Sequence, residues 1–253
     1  MIINQDRSII PACDVTLERF WQIVKATADI EKVGAYKVGI SFLDVGLKSV
    51  VEIARQYSDK PVIYDHQKAG TDIPDTPDAF MESMTRAGID AVILFPQAGP
   101  ATQYEWTLSA KDHGLGVIVG GEMTHPRYLH GDSSEGKKKN YSEIFEDLGM
   151  SPDTSGYLGK DAPDTIYEIA ARMGVSDFVV PGNKPDRISH YKSLIEKCGT
   201  EKPVFYSPGL VAQGGKISDG AKAAGDRFHA IVGRGIYNAD DIRKAAEDLT
   251  KEL

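Results

Sequence analysis

The stretch Pro61-Val62-Ile63-Tyr64-Asp65-His66-Gln67-Lys68-Ala69-Gly70-Thr71-Asp72-Ile73-Pro74-Asp75-Thr76 reads as a strand, a charged exit and the approach to a helix. Val62, Ile63 and Tyr64 are residues that favour a pleated, buried position. Asp65, Lys68 and Asp72 then follow within eight residues, and Pro77 suits the first turn of a helix predicted over 77–87. A buried strand that ends in charge and passes into a helix is the repeating unit of a parallel α/β fold. In barrels of that class, reactive groups stand at this end of the strand. Charge held at such a place is costly and needs a reason. Asp65 and Lys68 admit a plain reading, a solvated pair at a loop entrance, and a functional one.

Working outward, the same unit recurs. Ser8-Ile9-Ile10-Pro11-Ala12-Cys13 and Tyr36-Lys37-Val38-Gly39-Ile40 precede helical patterns over 17–29 and 46–57. Downstream come the runs 90–95, 116–120, 177–181, 203–206 and 229–232, with helices predicted over 101–112, 164–173, 186–197, 218–224 and 239–253. Eight apolar runs alternating with helices predict an α/β fold, a (β/α)8 TIM barrel, as a single domain over residues 1–253. A doubly wound sheet is the rival, but Asp14-Val15-Thr16-Leu17 lacks the glycine fingerprint that such a sheet favours after its first strand. The period breaks over about 130–160, a polar surface excursion with the run Lys137-Lys138-Lys139 and a short helix predicted over 141–148. Excursions of that length are functional or mobile.

The chain has 253 residues and a formal net charge of −8, so an acidic surface is expected, which argues against nucleic-acid and anionic-membrane partners. An anionic substrate then needs local basic groups. Two distant cysteines, Cys13 and Cys198, indicate neither a disulfide framework nor a zinc site, and Cys13 reads as a small core residue. The start has no signal-peptide pattern and no run reaches a membrane-spanning length, so a cytoplasmic location is expected.

Two groupings carry chemistry. Ser207-Pro208-Gly209-Leu210-Val211-Ala212-Gln213-Gly214-Gly215 follows the seventh run, and Gly233-Arg234-Gly235-Ile236-Tyr237 the eighth. Glycine-rich turns at those two places commonly cradle phosphate. The backbone N–H groups of Gly214, Gly215, Gly233 and Arg234 are the candidate donors, with the Gln213 and Arg234 side chains. The plain alternative is that these glycines only make turns. The second grouping is Lys37, Asp65, Lys68 and Asp72. Acids and lysines interleaved in one cavity keep one another ionised, and a lysine so held is a positioned proton donor. No metal is expected, because no histidine-based ligand pattern accompanies the acids. Thr124 is a candidate neutral hydrogen-bonder for a ring, whereas His125, before Pro126, reads as structural.

With these residues in view, the chain resembles the orotidine 5′-phosphate decarboxylase family from about Ile9 to Tyr237. The resemblance rests on Cys13-Asp14, Tyr36-Lys37-Val38-Gly39, Asp65…Lys68…Asp72-Ile73-Pro74-Asp75-Thr76, Glu122-Met123-Thr124-His125-Pro126 and the two glycine-rich segments. It implies conversion of orotidine 5′-phosphate to UMP and CO2 in pyrimidine biosynthesis, without metal or cofactor. It implies that Asp14 contacts the ribose, that Lys37 and Asp65 belong to the charged array, and that Lys68 protonates C6 of the pyrimidine. Asp72, with Ile73 and Thr76 beside it, would cross a homodimer interface into the neighbouring site. Thr124 would replace a serine that bonds the pyrimidine. Gln213, Gly214, Gly233 and Arg234 would hold the 5′-phosphate, and the loop from Pro208 to Gly215 would close over it.

The family usually spaces its central motif Asp-x-Lys-x-x-Asp. Here Lys68 follows Asp65 by three residues and Asp72 follows Lys68 by four. Residues three apart on a strand face opposite sides, so the spacing calls for a bulge or an early exit from the third strand. The competing expectation is a magnesium-dependent decarboxylase or aldolase of the same barrel group, acting on a phosphosugar of keto-gulonate or hexulose phosphate type. A phosphate-binding protein without catalysis is the non-enzymatic alternative.

Overall fold

The computed structural model describes residues 2–66, 69–136 and 139–253. In chain order the elements are β1 (Arg7–Pro11), α1 (Leu17–Thr27), β2 (Tyr36–Gly39), α2 (Leu47–Arg55), β3 (Val62–Asp65), α3 (Pro77–Ala87), β4 (Ala91–Leu94), α4 (Pro100–Asp112), β5 (Gly116–Gly120), α5 (Tyr141–Asp147), α6 (Ala162–Arg172), β6 (Asp177–Val179), α7 (Pro185–Lys197), β7 (Val204–Ser207), α8 (Ile217–Ala224), β8 (Phe228–Val232), α9 (Arg234–Tyr237) and α10 (Ile242–Thr250). Local chemistry sets several of these boundaries. The Thr16 hydroxyl accepts from the Arg19 N–H at the start of α1, a side-chain cap. Pro77 stands in the first turn of α3, and Gly88 ends that helix in the left-handed region at φ 80°.

The strands form one parallel sheet in the order β1-β8-β7-β6-β5-β4-β3-β2, so the fold is the expected (β/α)8 barrel. β1 and β2 close the ring through isolated bridges, Ile9 to Val33 and Ala12 to Lys37. The Cys13 N–H donates to the Lys37 carbonyl at 2.8 Å across that seam. Period-two alternation then decides which side chains enter the barrel. Ile10, Ala12, Ala35, Ile63, Ala91, Ile93, Ile118, Val179, Val204 and Ile231 pack together as the inner core. Lys37 and Asp65 are two residues beyond Ala35 and Ile63, so the same alternation lifts them to the upper end of that interior. The outer core joins the sheet to the helices. On α1, the face of Phe20, Ile23 and Val24 is buried, and each such side chain contributes roughly 2 kcal/mol by leaving water. Among the described residues, no helix is long and apolar enough to cross a membrane.

The lower end of the barrel holds a polar floor. The His229 ring meets the Ser8 hydroxyl at 2.8 Å, and Tyr206 donates to Asp177 at 2.8 Å with its ring centroid 4.9 Å from that of His229. Burial, reinforced by the nearby Arg227 charge, lowers the His229 pKa from 6.5 to about 4. The folded protein therefore binds fewer protons here than the unfolded chain between those values. The His229 contribution is complete above pH 6.5 and is lost as pH falls toward 4, in total roughly 3 kcal/mol. Burial raises the Asp177 pKa and so acts in the opposite sense. His229→Gln isolates the contribution of the histidine. Chemical denaturation at pH 7 and pH 4 should show wild type losing about 3 kcal/mol more than this variant; equal losses would contradict the buried neutral ring.

Candidate active site

At the upper end, the seam between β1 and β2 brings three charges together. Lys37 Nζ lies 2.8 Å from Asp65 Oδ2 and 3.8 Å from Asp14 Oδ1. Lys37 is 5% exposed and Asp65 9%, whereas the Asp14 side chain is half exposed at the mouth. Burial opposes the Lys37 charge and is the largest single influence, but Asp65 and then Asp14 together outweigh it and raise the lysine pKa. The amine is therefore a fixed ammonium at neutral pH. Gly39 permits this packing, because a Cβ there would stand 2.9 Å from the Asp65 carbonyl.

These groups line one side of a cavity of about 320 Å³, whose far side is formed by Pro208, Gly209, Gln213, Gly233 and Arg234. Arg234 opens α9, the short helix after β8, and the first N–H groups of a helix have no acceptor within it. Among the described residues, the Arg234 guanidinium has no ion-pair partner. Gly209, at φ 87°, presses on Thr124: a Cβ there would come within 2.6 Å of the threonine Cγ2. The turn after β7 therefore abuts the middle of the cavity. Val211, a β-branched residue, sits in that turn at φ 59°, a conformation that stores local strain.

A third group was not foreseen. Glu122, 4% exposed and lining the cavity, accepts from Lys184 at 2.8 Å, from Arg187 at 2.9 Å and from the Tyr191 hydroxyl. Burial raises its pKa, yet the bonds from Lys184, Tyr191 and Arg187 prevail and lower it. Asn183 Nδ2 donates to the Thr124 carbonyl at 3.0 Å. The start of α7 thus fixes the segment after β5 that presents Thr124. Lys184, Arg187 and Tyr191 share one face of a helix start, but nothing local in the sequence ties them to Glu122. His125 is exposed and bonded to the Pro126 carbonyl, as a structural histidine would be.

The structure thus gathers Asp14, Lys37, Asp65, Thr124, Pro208, Gln213, Gly233 and Arg234 around one cavity. Gly214 and Asp72 stand apart from it. The Gly214 N–H donates to the Val211 carbonyl and the Gly215 N–H to the Gly209 carbonyl. These amides close their own turn, and neither Gly214 nor Gly215 lines the cavity. Among the described residues, Asp72 does not line this cavity either. Asp72 is exposed; its carboxylate accepts from the Ile73 N–H and the Thr76 hydroxyl, and its carbonyl accepts from Thr102 on α4. Asp72, Ile73 and Thr76 stand together on the outer face beside α4, and Ile73 is 55% exposed. β3 ends at Asp65. Lys68, the expected proton donor, lies outside the described residues. Among the described residues, no cluster of three or more His, Cys, Asp or Glu could hold a metal ion.

Comparison with known proteins matches this arrangement to one family. The profile of the orotidine 5′-phosphate decarboxylase / HUMPS family aligns over residues 7–249. The chain belongs to this family. An orotidine 5′-phosphate decarboxylase of Methanosarcina mazei is 31% identical over 252 residues, covering 99% of this chain and 97% of that protein. The corresponding protein of Thermococcus kodakarensis is 29% identical, with 98% of each chain covered. Among solved structures, the orotidine 5′-monophosphate decarboxylase of Methanocaldococcus jannaschii complexed with the inhibitor BMP superposes with a TM-score of 0.76 at 25% identity, covering 98% of this chain and 99% of that one. The gathered site residues of this orotidine 5′-phosphate decarboxylase / HUMPS family member all lie inside the matched span.

Proposed function

We propose that this chain decarboxylates orotidine 5′-phosphate to UMP and CO2. The observation that carries the reading is a single cavity with two unlike ends, in a chain of this family. One end holds the buried Lys37–Asp65 pair, and the other holds Arg234, Gln213 and the Gly233 turn. An anionic phosphate and a carboxylated ring at opposite ends of one molecule match that polarity.

In this mechanism Arg234, Gln213 and the amides at Gly233 and Arg234 bind the 5′-phosphate. Asp14 takes the ribose hydroxyls, and Thr124 the pyrimidine. The turn from Pro208 to Gly215 moves from its strained form and closes, using phosphate binding energy at the reacting ring. Closure removes water and strengthens the field of the charged array. The C6–carboxylate bond breaks, CO2 leaves, and the electron pair stays at C6. Lys68 donates its proton there and becomes a neutral amine that solvent reprotonates. Lys37 holds Asp65 ionised beside the leaving carboxylate. Asp72, from a second copy of the chain, completes the array, with Ile73 and Thr76 beside it at the dimer interface. The role of this interface accounts for an exposed Ile73 next to an ordered carboxylate.

Loss of orotidine 5′-phosphate absorbance on adding the purified protein tests the reading. Turnover that survives a chelator separates it from the magnesium-dependent phosphosugar chemistry found elsewhere in such barrels. Arg234→Ala should raise KM about 100-fold, with a smaller change in kcat, because it removes a charge-assisted phosphate contact made before and during reaction. An unchanged KM would detach Arg234 from the phosphate.

A further inference from the structure

The excursion between β5 and α6 builds a second cavity, of about 590 Å³, directly against the phosphate end of the first. The two share Thr124, His125, Ala212, Gln213 and Arg234, and the outer wall is made by Ser134, Gly136, Lys139 and Tyr141. Cavities of roughly 300–1,000 Å³ are the usual size for small-molecule sites. A 5′-monophosphate seated at Arg234 leaves this annex beyond its phosphorus.

The annex favours negative charge. Lys139 and Arg234 both line it, and neither has an ion-pair partner among the described residues. Lys184 also lines it, with its amine already bonded to Glu122 and the Met123 carbonyl. Among the described residues, Glu135 is the one acid on the wall. Its Oε1 accepts from Arg127 and Ser142 and its Oε2 from the Tyr141 N–H, and these bonds lower its pKa to about 2. The carboxylate is thus turned into the excursion and neutralised by Arg127. Tyr141 and Ser134 add neutral donors.

We propose that the annex is a second phosphoryl subsite, so that this protein binds pyrimidine nucleoside 5′-diphosphates, the β-phosphoryl group resting between Arg234 and Lys139. The inference rests on reading the first cavity as a nucleoside 5′-monophosphate site. Diphosphates of this class then compete with substrate and tie the enzyme's activity to the level of the nucleotides made from its product.

Calorimetry with UMP and UDP tests this, using the full chain without metal. UDP should bind roughly tenfold more tightly than UMP through the added charge-assisted contacts. Lys139→Ala should bring the two affinities together by weakening UDP alone, and Lys139→Arg should restore the difference. UDP binding no tighter than UMP, or an equal loss for both nucleotides in Lys139→Ala, would overturn the subsite. Failure of UMP itself to bind would instead overturn the reading of the first cavity, and the subsite with it.

Discussion

Lys68→Ala should lower kcat for orotidine 5′-phosphate by at least ~10⁴-fold, the combined scale of a lost general acid and a lost electrostatic partner for the developing charge. The carbanion at C6 is the highest-energy species in the proposed route, and an ammonium beside it acts twice, by its field and by its proton. Binding is expected to respond much less, because Arg234, Gln213 and Gly233 grip the far end of the nucleotide. The informative pair of measurements is single-turnover CO2 release and UMP affinity on the same variant. A turnover within tenfold of wild type would remove Lys68 from the chemistry and reopen the phosphosugar alternative.

The second large effect concerns Lys37. It is buried and sits 2.8 Å from a buried carboxylate. Removing one partner of such a pair leaves a charge in a poorly solvated place and costs about 3 kcal/mol or more. Lys37→Ala should therefore lower the urea midpoint strongly and reduce kcat/KM by roughly 10³-fold, through loss of the ionised, positioned Asp65. The double variant Lys37→Met with Asp65→Leu should regain much of the stability and none of the activity. Exchange of an ion pair for apolar side chains is often close to neutral for folding. A single variant as stable as wild type would mean that the pair is not held in the dry interior described above.

The barrel was legible because its signal is periodic. Most apolar runs are four to six residues long and lead into a helical pattern, and the observed strands fall on those runs with ends shifted by a few residues. β1, for example, spans Arg7–Pro11, so Cys13 lies buried just beyond the strand. The phosphate end was half legible. Glycines and an arginine after the last two strands mark a turn and a charge. Whether a given N–H points outward or closes the turn depends on torsions that composition does not encode, and in this turn the Gly214 and Gly215 amides close it. The charged array raised the same difficulty at larger scale. Alternation places Lys37 and Asp65 in the barrel, but Asp72 lies past the strand, where position depends on packing against α4. The Glu122 network was missed because its partners come from an element more than 60 residues away, and no local period links them.

In the proposed function, one cavity holds a nucleotide's phosphate at one end so that its ring can lose CO2 at the other. The most direct test compares kcat/KM for orotidine 5′-phosphate with that for orotidine, which lacks the phosphate, by release of labelled CO2. The phosphorylated substrate should turn over, and kcat/KM should fall at least ~10⁴-fold without the phosphate, the scale of several charge-assisted bonds used at a remote carbon. Equal kcat/KM values for the two, or no CO2 released from either, would contradict it.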